Sequence, residues 1–244
     1  MKKINTPKRS EVLAEFLGIC FGDGCLSVDK KNHDYCLYFT GHAMDDKAYM
    51  EIYLPKIIKK LFNIEPKMRM QKGNTLLVYV RSKDLVNFLN ASGMQIGKKN
   101  NLKIPEWIRA NQDLMKAFLR GFADTDGSLT FKKRYTKIHY YPTISISSMN
   151  KILIEDSHRF LRKNGFMMGK VVSTLDHIKG YKSYPHFRIF LYGEENLEKW
   201  INLIGFSNMK HKSKYLLWKK LGYSPPHSMT QDRVKIIKNP PSEI

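Results

Sequence analysis

Asp23 and Asp126 are the residues whose type and setting point to chemistry. Each closes an apolar stretch and precedes a glycine: FLGICFGDG spans residues 16 to 24, and FLRGFADTDG spans residues 118 to 127. A single Asp-Gly at a helix end ordinarily makes the turn into the next strand. Here the same device occurs twice, with the aspartates 103 positions apart and CLSV after Gly24 matched by SLTF after Gly127. Gly18 and Gly22 are four residues apart, as are Gly121 and Thr125. Small residues at that spacing share a helical face and let two backbones approach closely. The spacing predicts two helices packed about a pseudo-twofold axis, with Asp23 and Asp126 side by side at one end. Carboxylates forced together repel, and unaided one keeps its proton. A divalent cation resolves the conflict, because Asp oxygens, water and phosphate oxygens are the ligands Mg²⁺ accepts. Bridged metals can clamp the attacking and leaving oxygens of a phosphoryl displacement. The expected cofactor is therefore Mg²⁺ or another divalent cation such as Mn²⁺.

The elements that must position these groups repeat too. After each Asp-Gly come two alternating runs, a helical stretch (46 to 63, then 150 to 165), two more alternating runs and a closing helix. The later strand pairs are KMRMQK with TLLVYVRS, and GKVVST with HFRIFLYG. The closing helices, KDLVNFLNASG and EENLEKWINLIG, are offset by 112 through loop insertions such as DHIKGYKSYPH. This order predicts an α+β fold of two pseudo-symmetric αββαββα repeats. Residues 1–101 form the first repeat, 102–113 a linker with Pro105 as breaker, and 114–223 the second repeat. Residues 224–244 form a basic, proline-punctuated tail, expected to be mobile or to lie along a nucleic acid.

The chain has 244 residues, 42% of them apolar, with 42 Lys and Arg against 22 Asp and Glu, a net charge of +20. That surplus implies a polyanionic partner, and nucleic acid is favoured over a membrane surface. No apolar run reaches the ~18 residues a span requires, and residues 1 to 16 lack a signal-peptide core. No basic amphipathic helix with a broad apolar face is evident for membrane binding. Cys20, Cys25 and Cys36 form no C-x-x-C pair and read as reduced. The eight histidines show no zinc spacing. GDGCLS fails as a dinucleotide fingerprint, since Ser27 stands where a third glycine belongs.

Strand alternation separates a core face from a polar one. Lys67, Arg69 and Gln71 oppose Met68 and Met70; Thr143, Ser145 and Ser147 oppose Ile144 and Ile146; Arg188 and Tyr192 oppose Ile189 and Leu191. Thr130, Lys132, Tyr79 and Arg81 join the polar set. These types read base edges in a major groove. The runs at 132–137, including Lys133, and at 30–32 belong to loops suited to phosphate contact.

The two motifs resemble those of the LAGLIDADG homing endonucleases, specifically the single-chain class with two motif copies. The resemblance extends to about Tyr223. It implies two antiparallel sheets forming a DNA-binding saddle, which adds Ser27, Asp29, Tyr38 and Thr40 to the contact set. It also implies metal-dependent cleavage of both strands across the minor groove of a long, semi-palindromic double-stranded target. Asp23 and Asp126 would be the metal-binding catalytic carboxylates, with Gly22 and Thr125 beside them in the metal site. A lysine after the last helix of each repeat would complete the site. Aligning Gly93 with Gly205 selects Lys98 and Lys210, with Lys99 and Lys212 competing. The chain departs from the family pattern at Phe21, which occupies the position of Asp124, and at Gly41–His42 and Ser148–Met149, where some relatives carry a polar or basic active-site residue. His42 reads as a loop or phosphate-contact residue. With both copies in one chain, a monomer is expected, in the cytoplasm near the nucleoid or in an organelle if organelle-encoded. An RNA-splicing maturase acting on intron RNA, or a non-cleaving DNA-binding protein, is the alternative on the same fold. A protein-splicing host is disfavoured, since the chain starts at Met1 and ends PPSEI.

Overall fold

The computed structural model describes residues 4–176 and 184–239. The first repeat runs α1 (Glu11–Gly22), β1 (Cys25–Asp29), β2 (Asp34–His42), a π-helical turn (Tyr49–Tyr53) leading into α2 (Leu54–Phe62), β3 (Lys67–Gln71), β4 (Thr75–Arg81) and α3 (Lys83–Ala91). A short α4 (Glu106–Arg109) precedes α5 (Gln112–Asp126), β5 (Gly127–Lys132), β6 (Tyr141–Ser148), α6 (Lys151–Lys163), β7 (Val172–Asp176), β8 (Tyr184–Tyr192) and α7 (Gly193–Leu203). Two helices absent from the sequence expectation follow, α8 (Met209–Leu221) and α9 (Thr230–Lys238). The sheets have equivalent antiparallel orders, β1-β2-β4-β3 and β5-β6-β8-β7.

Helix starts follow from local chemistry. Ser10 Oγ accepts from the Leu13 amide, and Asn111 Oδ1 accepts from the amides of Asp113 and Leu114. These caps satisfy amides that a first helical turn leaves without partners. From Leu13 to Gly22 every residue of α1 is buried, because the helix is enclosed by its own sheet and by α5. Phe16 packs edge-on against Phe39 and Phe62, and Phe21 against Phe118, so one continuous core joins the repeats.

The helix interface is symmetric in atomic detail. A Cβ on Gly18 would lie 2.1 Å from Phe118 O and 2.8 Å from Phe122 N, and one on Gly121 would lie 2.1 Å from Glu15 O and 3.0 Å from Ile19 N. Shifting each number by 103 turns one set of contacts into the other. The glycine after each aspartate is explained equally. A Cβ on Gly24 would meet Cys20 O at 2.7 Å, and one on Gly127 would meet Ala123 O at 2.3 Å. The chain must double back against its own helix there, and only glycine leaves room.

The structure corrects three expectations. Met68 and Met70 lie on the helix side of β3 yet are 45% and 60% exposed, because β3 is an edge strand overhanging the core. Thr143 lies on the polar face yet is 3% exposed, between its cross-strand neighbours Thr130 and Tyr192. Residues 224–239 are docked rather than mobile, with Arg233 fully buried. The linker also contributes to the core through Leu102, Ile104 and Ile108. Part of the DHIKGYKSYPH insertion and the terminal PPSEI lie outside the described residues.

Candidate functional site

The two motif helices end where Gly22 and Thr125, related by the same offset, face each other. A Cβ on Gly22 would overlap Thr125 Oγ1 and lie 3.5 Å from Asp126 Cγ. Thr125 turns its hydroxyl back to Gly121 O and Phe122 O. Asp126 is half-buried; loss of hydration and then the charge of Asp23 push its carboxyl up to about 7, against the pull of Lys99. Asp23 reaches solvent at one edge but is hemmed in by protein elsewhere. Loss of hydration, then the charge of Asp46, push its carboxyl up to about 6, against Lys99 and Lys210. Both carboxyls thus resist ionisation in the absence of a cation.

The lysines settle differently in the two halves. Lys99 Nζ donates to Phe21 O at 3.0 Å and to Gly22 O, placing its charge near both aspartates. Gly22 O, expected within the metal site, is thereby engaged by an ammonium. Lys98 lines the same cleft as Asp126, together with Ser147, Asn150 and His186. Lys210 lies near Asp23 and pairs with Asp46 Oδ2 at 3.4 Å. Lys212 lines a different cleft, beside Glu15 and Arg120. Asp46 was not anticipated; it also accepts from the His42 amide and from Asn208 Nδ2. His42 accepts the amides of Met44 and Asp45 on Nδ1, which makes it a turn-forming residue.

The departure at Phe21 has a symmetric counterpart. Phe21 packs on Phe118 on one side of the axis, and the offset maps that pair onto Asp124 and Glu15 on the other. One apolar pair is exchanged for two buried acids. Arg120 and Ser207 bond Glu15 at 2.7 Å each, with Tyr53 as a third donor. Asp124 accepts the amides of Ser207 and Asn208 at the start of α8. Burial nonetheless pushes the Asp124 carboxyl up to about 8. The sequence difference is therefore a packing difference that anchors α8.

The cross-strand registers place the expected contact residues on the face of each sheet turned away from the helices. Ser27, Tyr38, Arg69, Gln71, Tyr79 and Arg81 gather in one cleft of the first sheet. Thr40 and Lys67 share that face through their partners Leu77 and Tyr79. Arg81 bonds Asp34 at 3.0 Å and covers the Tyr79 ring. Asp29 lies at the end of β1, where its carboxylate caps its own turn through Lys31 and Asn32, and the bonds from Asn32 hold its pKa low. On the second sheet Lys132, Lys133, Thr143 and Tyr192 line a cleft with Arg134 and Tyr141. Thr130, Ser145 and Arg188 share that face by register. Phe190 belongs to it too, stacked on Tyr192 and covered by Arg188. Alternation with Arg188 and Tyr192 marked Phe190, but its apolar type concealed it.

His211, on α8, is 1% exposed, packs on Phe206 and, among the described residues, has no hydrogen-bond partner on either ring nitrogen. Burial, then the positive charges of Lys214, Lys210 and Arg233, push its pKa down to about 3. The neutral ring's stability contribution is complete above pH ~6.5 and is lost as pH falls toward 3. His211→Phe is expected to flatten the stability profile by about 2 kcal/mol between pH 7 and 5. Urea unfolding at the two pH values checks this, and identical slopes in parent and variant would refute it.

Paired motif helices, two equivalent sheets and duplicated aspartates define a class. Residues 113–205 match the LAGLIDADG-like domain, and the first repeat ends its own buried helix with the equivalent Gly22–Asp23. Among its relatives is the Replication factor C small subunit of Methanocaldococcus jannaschii, 28% identical over 213 residues, which are 87% of this chain and 10% of that protein. An uncharacterized protein of the same organism is 31% identical over 167 residues, 67% of this chain and 58% of that one. The chain thus spans only part of these relatives' length. The crystal structure of I-DmoI in complex with DNA and Mn has the same fold, with a TM-score of 0.53 at 20% identity, covering 81% of this chain and 98% of that one.

Proposed function

We propose that the chain is a site-specific DNA endonuclease that hydrolyses both strands of duplex DNA with a divalent cation. The observation that carries this is the pair Asp23 and Asp126 at symmetry-related helix ends, with carboxyls raised to about 6 and about 7, between two sheets bearing cationic and aromatic outer faces.

The donor set fits a hard cation. Among the described residues no group of three or more His, Cys, Asp or Glu is placed to enclose a metal. The chain therefore offers two carboxylates and leaves the other positions to water and phosphate, the arrangement Mg²⁺ and Mn²⁺ favour. When bound, such a cation activates water and stabilises charge on the phosphoryl oxygens. Asp23 and Asp126 are the residues that would hold it. Lys210, kept beside Asp23 by Asp46, and Lys99, anchored on α1, supply positive charge where a phosphate's charge develops. The outer strand faces hold the duplex through phosphates and base edges. Two repeats in one chain support action as a monomer, and the LAGLIDADG resemblance supports a staggered break across the minor groove of a long, semi-palindromic site. The deciding assay incubates a plasmid carrying an intronless junction with Mg²⁺, Ca²⁺ or EDTA. Double-strand cleavage in Mg²⁺ is expected, and equal cutting in EDTA would remove the metal role. Binding without cutting would favour the DNA-binding alternative, and splicing of the intron RNA would favour the maturase.

The outer faces make a separate prediction. Roughly 6 to 10 phosphate contacts are expected, with log K falling against log salt by about 0.9 per contact. Lys132→Ala or Lys133→Ala should flatten that slope by about 1 and weaken all sequences alike. Arg69→Ala or Arg188→Ala should relax preference at one base pair by about 1–3 kcal/mol. Arginine variants with unchanged preference at every position would show that these faces do not read DNA.

A further inference from the structure

The C-terminal helix is attached by polar groups. Thr230 and Arg233 are its buried residues, and no apolar side chain of α9 is fully buried. Burying an arginine adds little net stability, because lost hydration offsets the attraction, but its planar fork fixes the positions of what it touches. Arg233 touches four pieces of the chain. Nε donates to Ser213 Oγ at 2.9 Å in α8, and Nη1 donates to Ser228. Nη2 donates to Thr230 Oγ1 at 2.9 Å, Lys210 O at 3.2 Å and Asp45 Oδ1 at 3.4 Å. Thr230 reinforces the last contact, its amide donating to Asp45 Oδ1 at 2.8 Å and its hydroxyl at 2.6 Å.

Asp45 belongs to the turn after β2, and its neighbour Asp46 holds Lys210 beside Asp23. The guanidinium thus grips Lys210 through its carbonyl, and Asp46 through the residue before it. Asp126 has different support: the charges acting on it are those of Asp23 and Lys99. We infer that Arg233 is a positioning residue and that α9 is a brace holding the Asp46–Lys210 pair against the Asp23 half of the site. This rests on the endonuclease reading and assigns a role there to a segment outside both repeats. Because the brace serves one half-site, its loss acts on one DNA strand.

The test uses full-length Arg233→Met and Arg233→Lys. Methionine removes the charge and leaves Asp45, whose side chain is 20% exposed, to solvent and its Thr230 donors. Some stability is lost, so cleavage is compared at a temperature where urea unfolding shows the variant folded. Lysine keeps the charge and loses the fork. The substrate is a plasmid carrying a duplex selected by the wild-type chain from a randomised pool. Binding should be unchanged, while one strand is cut at least roughly tenfold more slowly than the other, so that nicked circles accumulate. Lysine should restore the lost rate only partly. Equal slowing of both strands, as from a smaller folded fraction, would overturn the proposal, as would unchanged cutting. Hydrogen exchange gives a readout independent of cleavage. The amides of His42 and Thr230, which donate to Asp46 and Asp45, should exchange faster in Arg233→Met, while those of α1 and α5 should not. Unaltered exchange there overturns the brace. A wild-type chain that cuts no DNA overturns the nuclease reading instead, and the exchange result still decides whether Arg233 holds the turn.

Discussion

Asp126→Asn should bind duplex DNA as the parent does and lose double-strand cleavage. Several kcal/mol of transition-state stabilisation pass through a metal-holding carboxylate, equivalent to at least a hundredfold in rate. Asp23→Asn should do the same. The stability effect has the opposite sign. The Asp126 carboxyl is raised to about 7, so the fold favours its protonated form. That contribution is complete below pH ~4 and is lost as pH rises through about 7. Asparagine carries no charge, so at pH 8 without divalent cation Asp126→Asn should be more stable than the parent, and the advantage should vanish near pH 4. Metal should restore the parent's stability and leave the variant unchanged. A variant that cuts both strands at the parental rate would reduce Asp126 to a turn residue.

Gly18→Ala and Gly121→Ala should each destabilise the chain by about 3 kcal/mol, the upper part of the overpacking range. Their added Cβ atoms would lie 2.1 Å from the carbonyl oxygens of Phe118 and Glu15. Backbone atoms cannot turn aside as a side chain can, so the helices must separate. Separation moves Asp23 from Asp126, so the folded fraction should also cut poorly. Both glycines occupy equivalent positions, and the two losses should be similar. Urea unfolding measures them; a loss below ~1 kcal/mol for either would mean the helices are not in backbone contact.

The repeat, the pairing of the motif helices and the two faces of most strands were legible in the residue order. These features rest on local periodicity and on small residues at fixed spacing, which neighbouring positions largely decide. Apolar and polar residues alternate along the middle of β6, with Thr143 buried against the pattern, while in β8 burial alternates although Phe190 breaks the alternation of type. The same logic failed at β3, since alternation cannot say that a strand lies at a sheet edge. Nor does alternation show that the exposed Asp29 carboxylate bonds its own turn.

The surroundings of the aspartates depended on contacts between residues far apart in sequence. Lys98 and Lys99 are adjacent and identical in type, and only the path of the chain past α1 brings the Lys99 ammonium onto Phe21 and Gly22. Asp46 lies in a turn without a motif, and Arg233 in a tail whose composition suggested mobility or a path along a nucleic acid. Each acquires its place from partners more than 150 positions away, Lys210 for Asp46 and Asp45 for Arg233. The sequence by itself determined which helices meet and which residues they carry to their common end, because helical spacing encodes a contact face. The tertiary structure alone decided which charges surround that end, because a long side chain's position depends on whatever the rest of the fold packs against it.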